Sequence, residues 1–276
     1  MSDSRAWTRP EVVHRPATPA ARSKPAERPK ADSSKSTRRE LDRPRALALV
    51  LSWRRPDNLP RVIEGLRRQS FIDDIMIFHN HPSDRRMEGC LNVVSDHNFG
   101  CAVRHQLAQL LDYETFVFSD DDLMLTEDLA PQLMPVIRAY GQRSVIGLFG
   151  HMLDRQRPNA AYSHGERVTT REVRPVDLVK GRFHVLSRAC LQAISAPGLN
   201  TPALLAEDDI RVNVAAQWAF DEPSYLVPVR GVKDLPAPHA RWRRKDHLQA
   251  RDQAVYDGLQ LGWRPLGPLD DPAPTE

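Results

Sequence analysis

Between residues 46 and 122 the chain alternates short apolar runs with segments of helical period, and this alternation leaves few folds open. Ala46-Leu47-Ala48-Leu49-Val50-Leu51 is an unbroken apolar run, as expected of a strand buried on both faces. Pro56 and Asp57 punctuate it. Leu59, Val62, Ile63 and Leu66 then recur at helical spacing, predicting a helix over about residues 57–69. Asp74-Ile75-Met76-Ile77-Phe78 reads as the next strand, ending at His79-Asn80-His81-Pro82, and Leu91-Asn92-Val93-Val94 as a short third. After Asn98-Phe99-Gly100, Val103, Leu107, Leu110 and Leu111 mark a second amphipathic helix, and Phe116-Val117-Phe118 a further strand. The order β-α-β-β-α-β implies an α/β domain with a mostly parallel sheet and helices on both faces. Such sheets bind ligands beyond the carboxyl ends of their strands. Ser52-Trp53-Arg54-Arg55, His79-Asn80 and the acids after Phe118 all fall at such ends.

Those acids are Asp120-Asp121-Asp122, following Ser119. Three adjacent carboxylates repel one another and resist burial, so a core strand that ends in them needs a compensating cation. In extended backbone Asp120 and Asp122 point the same way and Asp121 the other. Two oxygen donors on one side suit a hard ion, Mg²⁺ or Mn²⁺, able to hold a diphosphate. A helix N-cap cluster is the alternative reading of the same triplet.

Composition narrows the class. A chain of 276 residues with 41% hydrophobic content has enough apolar material for a substantial core, and its formal charge of +3 is nearly balanced. The basic excess is local: residues 1–44 carry eleven Lys/Arg against six Asp/Glu. That segment is rich in Pro, Ala, Ser, Lys and Arg and lacks apolar periodicity, so it reads as a disordered basic tail. It is either a solvated linker or a contact for anionic membrane or an acidic partner. The expected division is a tail over 1–44, a folded domain over 45–264 and a flexible, Pro-rich end over 265–276. No window approaches the length of a membrane helix, and the first residues lack a signal-peptide apolar core. Cys90, Cys101 and Cys190 are too few and scattered for a disulfide scaffold. A cytoplasmic setting is therefore expected.

Two further charged segments stand out. Glu207-Asp208-Asp209 precedes Ile210, Val212, Val214 and Ala215. These acids are either a helix start favoured by the dipole, or the source of a general base for an acceptor hydroxyl or of a carboxylate that stabilises an oxocarbenium-like centre, with Asp208 and Asp209 the catalytic candidates. His239-Ala240-Arg241-Trp242-Arg243-Arg244-Lys245-Asp246-His247 is compactly cationic. It is either a solvated helix face or a clamp in which Arg241 and Arg244 neutralise a diphosphate. His79, His81, Cys90, His97, Cys101 and His105 match no compact zinc pattern. Neither a Gly-x-x-x-x-Gly-Lys loop nor a Gly-x-Ser-x-Gly elbow occurs.

Taken in order, these segments resemble the motifs of GT-A-fold, nucleotide-sugar-dependent glycosyltransferases, of the family-2 or exostosin-like kind. Ser52-Trp53-Arg54-Arg55-Pro56-Asp57-Asn58-Leu59 is similar to the first-strand motif, and Asn98-Phe99-Gly100 with Arg104 to the Asn-x-Gly segment. Ser119 to Asp122 resembles the Asp-x-Asp signature. Glu207-Asp208-Asp209-Ile210-Arg211-Val212-Asn213 resembles the Glu-Asp-Ile-x-x-Asn segment, and Val145-Ile146-Gly147-Leu148-Phe149-Gly150 a strand of the exostosin-like enzymes. The resemblance spans about residues 46–247. It implies a UDP- or GDP-sugar donor, a glycan or other hydroxyl acceptor and a Mn²⁺ or Mg²⁺ cofactor. It also implies that Asp122, with Asp120 and His239, holds the metal, and that Ser52, Trp53, Arg54, Arg104, Asp120 and Asp121 line the donor. The same carboxylates would serve a metal-dependent nucleotidyltransferase or phosphotransferase, and a non-catalytic nucleotide-sugar or glycan-binding module is the other alternative.

Overall fold

The computed structural model describes residues 45–240 and 245–266, all within one compact unit, Asp42–Glu276. The expectations for the 1–44 tail, for Arg241 and Arg244 and for residues 267–276 lie outside the described residues. β1 (Ala46–Ser52) is buried along its whole length. A helical turn at Pro56–Asn58 leads into α1 (Leu59–Arg67), which buries Leu59, Val62, Ile63 and Leu66 as the spacing predicts. β2 (Asp74–His79) and β3 (Leu91–Val94) follow, then α2 (Val103–Gln109), β4 (Thr115–Asp120), β5 (Leu123–Leu125) and α3 (Ala130–Tyr140). The middle of the chain is broken into β6 (Ile146–Gly147), β7 (Gly150–Met152), β8 (Glu166–Val168), β9 (Arg174–Val176) and β10 (Leu178–Val179). β11 (Phe183–Ser187) runs into α4 (Arg188–Ala193), then α5 (Pro202–Ala206) and α6 (Asp208–Phe220). β12 (Ser224–Leu226), β13 (Val232–Asp234) and α7 (His247–Gln260) close the fold.

The main sheet has the order β3-β2-β1-β4-β11-β6-β12-β9. Its first four strands are parallel, as the β-α-β order predicts. β11 then enters antiparallel to β4 and β6, so the sheet changes direction beside the acidic triplet. Side-chain alternation sorts β1 between two cores. Ala48 and Val50 pack with α1 and α3 on one face, while Leu47 and Leu49 pack with α2, α4, α6 and α7 on the other. Gly65 shows how tightly one face closes: a Cβ there would stand 2.5 Å from the Leu125 carbonyl oxygen. Two sequence expectations shift in detail. α2 ends at Gln109, leaving Leu110 82% exposed instead of on the buried stripe. The Val145–Gly150 run divides between two sheets, with β6 in the main one and β7 paired to β8 and β10.

Register fixes the site. Leu51 pairs with Asp120 and Ser52 with His79, so the carboxyl ends of β1, β2 and β4 finish level. No helix among the described residues is long and apolar enough to cross a membrane.

Candidate active site

β4 stops at Asp120, and Asp121-Asp122 form a turn before β5. The extended alternation expected through the triplet therefore does not hold. Asp121 and Asp122 share one cation, Arg55 from the loop after β1, while Asp120 turns toward α2. Arg55 Nη2 lies 2.5 Å from Asp121 Oδ1, and its Nη1 donates to Asp122. The backbone N–H of Trp53 donates to Asp121 Oδ2 at 2.8 Å. Arg54 makes this loop geometry possible by adopting φ 58°, in the left-handed region that a side chain normally avoids. Its guanidinium lies 5.0 Å from the Trp53 ring centre, and the Trp53 ring meets the exposed His239 edge-on at 6.1 Å. Ser52 is fully buried behind them.

Asp122 is further anchored on the β13 side. The N–H of Leu235 donates to its carbonyl at 2.8 Å, and Arg182 Nη2 stands 3.5 Å from Oδ1 while binding Asp234 at 2.6 Å. Burial pushes the Asp121 carboxyl up to about 7, against the pull of Arg55 and the Trp53 N–H. Asp120, only partly buried, is also pushed up to about 6 by desolvation, with Arg104 opposing.

Arg104 on α2 joins the two acidic segments. Its Nη1 lies 3.0 Å from Asp120 Oδ1, and its Nε 2.7 Å from Asp208 Oδ2 at the start of α6. Both Asp208 and Asp209 occupy the first turn of α6, as a helix-start reading requires, yet their side chains are buried and ion-paired. Asp209 is clamped by Arg251 of α7, at 2.9 and 3.1 Å, and accepts the Gly181 N–H at 2.9 Å. Burial alone would raise its carboxyl; Arg251 overcomes that and holds it well below the usual range. Arg251 also binds Glu207 at 2.9 Å. Gly181 packs closely here: a Cβ would lie 2.7 Å from Arg104 Nη2 and 3.2 Å from Asp209 Cβ, so a side chain would displace the Arg104 guanidinium. Beside it Lys180 lies over the Tyr162 ring at 5.6 Å, and burial, then Arg251, lower its ammonium to about 8.

The structure thus gathers Ser52, Trp53, Arg54, Asp120, Asp121, Asp122, Arg104, Asp208 and Asp209 around the carboxyl end of the sheet, with His239 reaching its rim through Trp53. Arg55, Arg182 and Arg251 are the partners that sequence reading did not single out. Arg55 lay inside the quoted first-strand motif. Arg251 sits in α7 among Ala, Gln and Asp with no local signal.

Among the described residues no set of three His, Cys, Asp or Glu side chains is arranged as a ready-made metal cage. The donor chemistry nevertheless fits one hard cation. Asp122 Oδ1 is buried without a hydrogen-bond partner, and the Asp120 side chain is 31% exposed beside it. Two carboxylates leave most of an octahedral shell to phosphate oxygens and water.

No family model and no curated protein matches the chain. Solved structures do. GalNAc-T7 bound to UDP, GalNAc and Mn²⁺ superposes with a TM-score of 0.55 at 10% identity, over 78% of this chain and 48% of that one. A mannosyltransferase from Pyrobaculum calidifontis bound to GDP-Man and Mn²⁺ gives 0.52 at 14%, over 77% and 64%. The chain spans about half the length of the first and under two thirds of the second. At these identities the likeness is one of fold: the chain has the α/β, GT-A-type architecture of these glycosyltransferases.

Proposed function

We propose that this protein is a glycosyltransferase that moves a sugar from a nucleoside-diphosphate sugar to an acceptor hydroxyl. The observation that carries the reading is Arg104, whose single guanidinium brings Asp120 of the triplet against Asp208 of the second acidic segment. A donor site and a base site need to lie this close for one sugar to pass between them. The fold shared with enzymes bound to UDP or GDP-Man and Mn²⁺ supports the choice of donor class.

Asp122, with Asp120, would hold the Mn²⁺ or Mg²⁺, and His239, edge-on to Trp53 at the rim, is the proposed third donor. When bound, that ion supplies charge stabilisation for the departing diphosphate. Arg55 and Arg182 flank Asp122 and present the guanidinium forks that suit phosphate oxygens. Asp121, tied to the Trp53 N–H, fixes the loop that frames the donor. Asp208 serves as the base that takes the acceptor proton. Asp209, gripped in a two-point pair by Arg251, orients the start of α6 and the Gly181 turn. Arg241 and Arg244 remain the proposed clamp over the diphosphate.

Hydrolysis of UDP-N-acetylgalactosamine or GDP-mannose in the presence of Mn²⁺ is the expected slow side reaction. Release of the free nucleoside diphosphate is its readout. Consumption of a nucleoside triphosphate with pyrophosphate release would instead identify a nucleotidyltransferase, and donor binding without turnover a binding module.

A further inference from the structure

Two fully buried histidines stand behind Asp208. His105 of α2 and His184 of β11 are 0% and 1% exposed, and their Nε2 atoms lie 3.0 Å apart. Phe118 holds the pair in place, stacked on His184 at 4.9 Å and edge-on to His105 at 4.5 Å. On the far side of the His105 ring, Nδ1 lies 3.7 Å from Asp208 Oδ2. Neither Nδ1 atom has a hydrogen-bond partner among the described residues. The charged groups around the pair are Arg104, Arg211, Asp208 and Asp209. Burial, then Arg104, keeps both rings neutral by holding them well below the ordinary histidine range.

Two neutral imidazoles in Nε2-to-Nε2 contact share one proton, so their tautomers are opposite. If His105 were the donor, its Nδ1 lone pair would face the Asp208 carboxylate, and His184 would bury an unpaired Nδ1–H. If His184 donates, His105 carries its proton on Nδ1 and turns it toward the carboxylate. His184 then buries only an unused lone pair, the lesser cost. Both ends of the pair favour the second arrangement.

We propose that His184 donates Nε2–H to His105 Nε2, and that His105 presents Nδ1–H to Asp208 Oδ2, making both histidines positioning residues for the acceptor-side base. Arg104 Nε and His105 then hold Oδ2 from two directions and leave Oδ1 to meet the acceptor hydroxyl. The 3.7 Å approach closes to a hydrogen bond with a sub-ångström shift of the carboxylate, the kind of tightening expected when substrate binds. The catalytic consequence rests on the base role proposed for Asp208, whereas the tautomers do not.

The direct test is long-range proton–nitrogen correlation spectroscopy on the full-length ¹⁵N-labelled chain, assigned with His105→Gln and His184→Phe. The expected spectrum shows His105 as the Nδ1–H tautomer and His184 as the Nε2–H tautomer, both neutral at neutral pH. The reverse pair of tautomers, or an imidazolium at either position, overturns the proposal. Kinetics on UDP-N-acetylgalactosamine or GDP-mannose with Mn²⁺ supply the second arm. His184→Phe should lower kcat about tenfold with donor KM unchanged, and His184→Gln, whose amide still donates to His105, should recover most of it. Equal losses in the Phe and Gln variants overturn the positioning role. If neither donor is turned over, the glycosyltransferase reading fails, and the tautomer assignment is decided by the wild-type spectrum alone.

Discussion

Arg104 is the residue on which the two acidic segments meet, and its burial makes it costly to remove. Its side chain is 3% exposed, between Asp208 at 7% and Asp120 at 31%. Truncation strands a buried carboxylate without its cation, the situation in which breaking an ion pair costs most. Arg104→Met is expected to lower unfolding free energy by about 3 kcal/mol. Arg104→Lys should recover only part of this, since an ammonium cannot serve both carboxylates with a planar fork. Urea denaturation measures both, and a loss under about 1 kcal/mol for the Met variant would contradict the bridging role. Asp209 gives a pH signature. Its carboxyl is held below the usual range in the fold, so its stabilising contribution is full above the unfolded value of about 3.9. It is lost as the pH falls through and below that value. Melting temperatures of the wild type and Asp209→Asn should therefore differ most near pH 7 and draw together toward pH 3. A gap that stays constant across that range would show that the Arg251 pair does not depend on ionised Asp209.

At the level of elements, α1 lies so close to β5 that its backbone nearly touches. Gly65→Ala pushes a methyl group to 2.5 Å from the Leu125 carbonyl oxygen and 2.8 Å from its nitrogen. Backbone on both sides cannot yield as a flexible side chain would, so a loss of about 2 kcal/mol is expected in thermal or urea unfolding. An unchanged midpoint would mean that α1 tilts freely on the sheet. The elements that carry a period were readable. Leu59, Val62, Ile63 and Leu66 placed α1, and the apolar runs at 46–51, 74–78 and 116–118 placed three parallel strands. Elements without a period were not. β6 is a two-residue strand, and α6 buries residues all round, so neither shows a distinctive stripe. The triplet's orientation was misread because alternation was carried past Asp120, where the chain turns to meet Arg55. At the second acidic segment the sequence marked Asp208 and Asp209, while their partners Arg104 and Arg251 come from α2 and α7. Long-range pairing of that kind leaves no trace in spacing.

Across the whole molecule, the parallel half of the sheet delivers the first-strand loop and the triplet, and the turn before antiparallel β11 sets Gly181 against Asp209 of α6 and Arg182 against Asp122. The candidate site therefore lies beyond the carboxyl ends of β1 and β4, where the strand order reverses, the place where open α/β sheets bind ligands. Carboxylates and guanidinia alternate there, and the acids are ion-paired by shared cations: Arg55 serves Asp121 and Asp122, Arg104 serves Asp120 and Asp208, and Arg251 serves Glu207 and Asp209. On the proposed reading, a divalent ion at Asp122 would compete with Arg55 for that carboxylate, and Arg55 would then be available to phosphate oxygens. Calorimetric titration of UDP and of GDP into the full-length protein, with Mn²⁺ and with a chelator, for the wild type and Asp122→Ala, is the measurement to make. At least one nucleotide should bind the wild type with Mn²⁺ and lose at least about tenfold in affinity with chelator or in Asp122→Ala, about 1.4 kcal/mol or more. Binding of equal strength in all four conditions, or no binding in any, would contradict a metal-held diphosphate at the acidic turn.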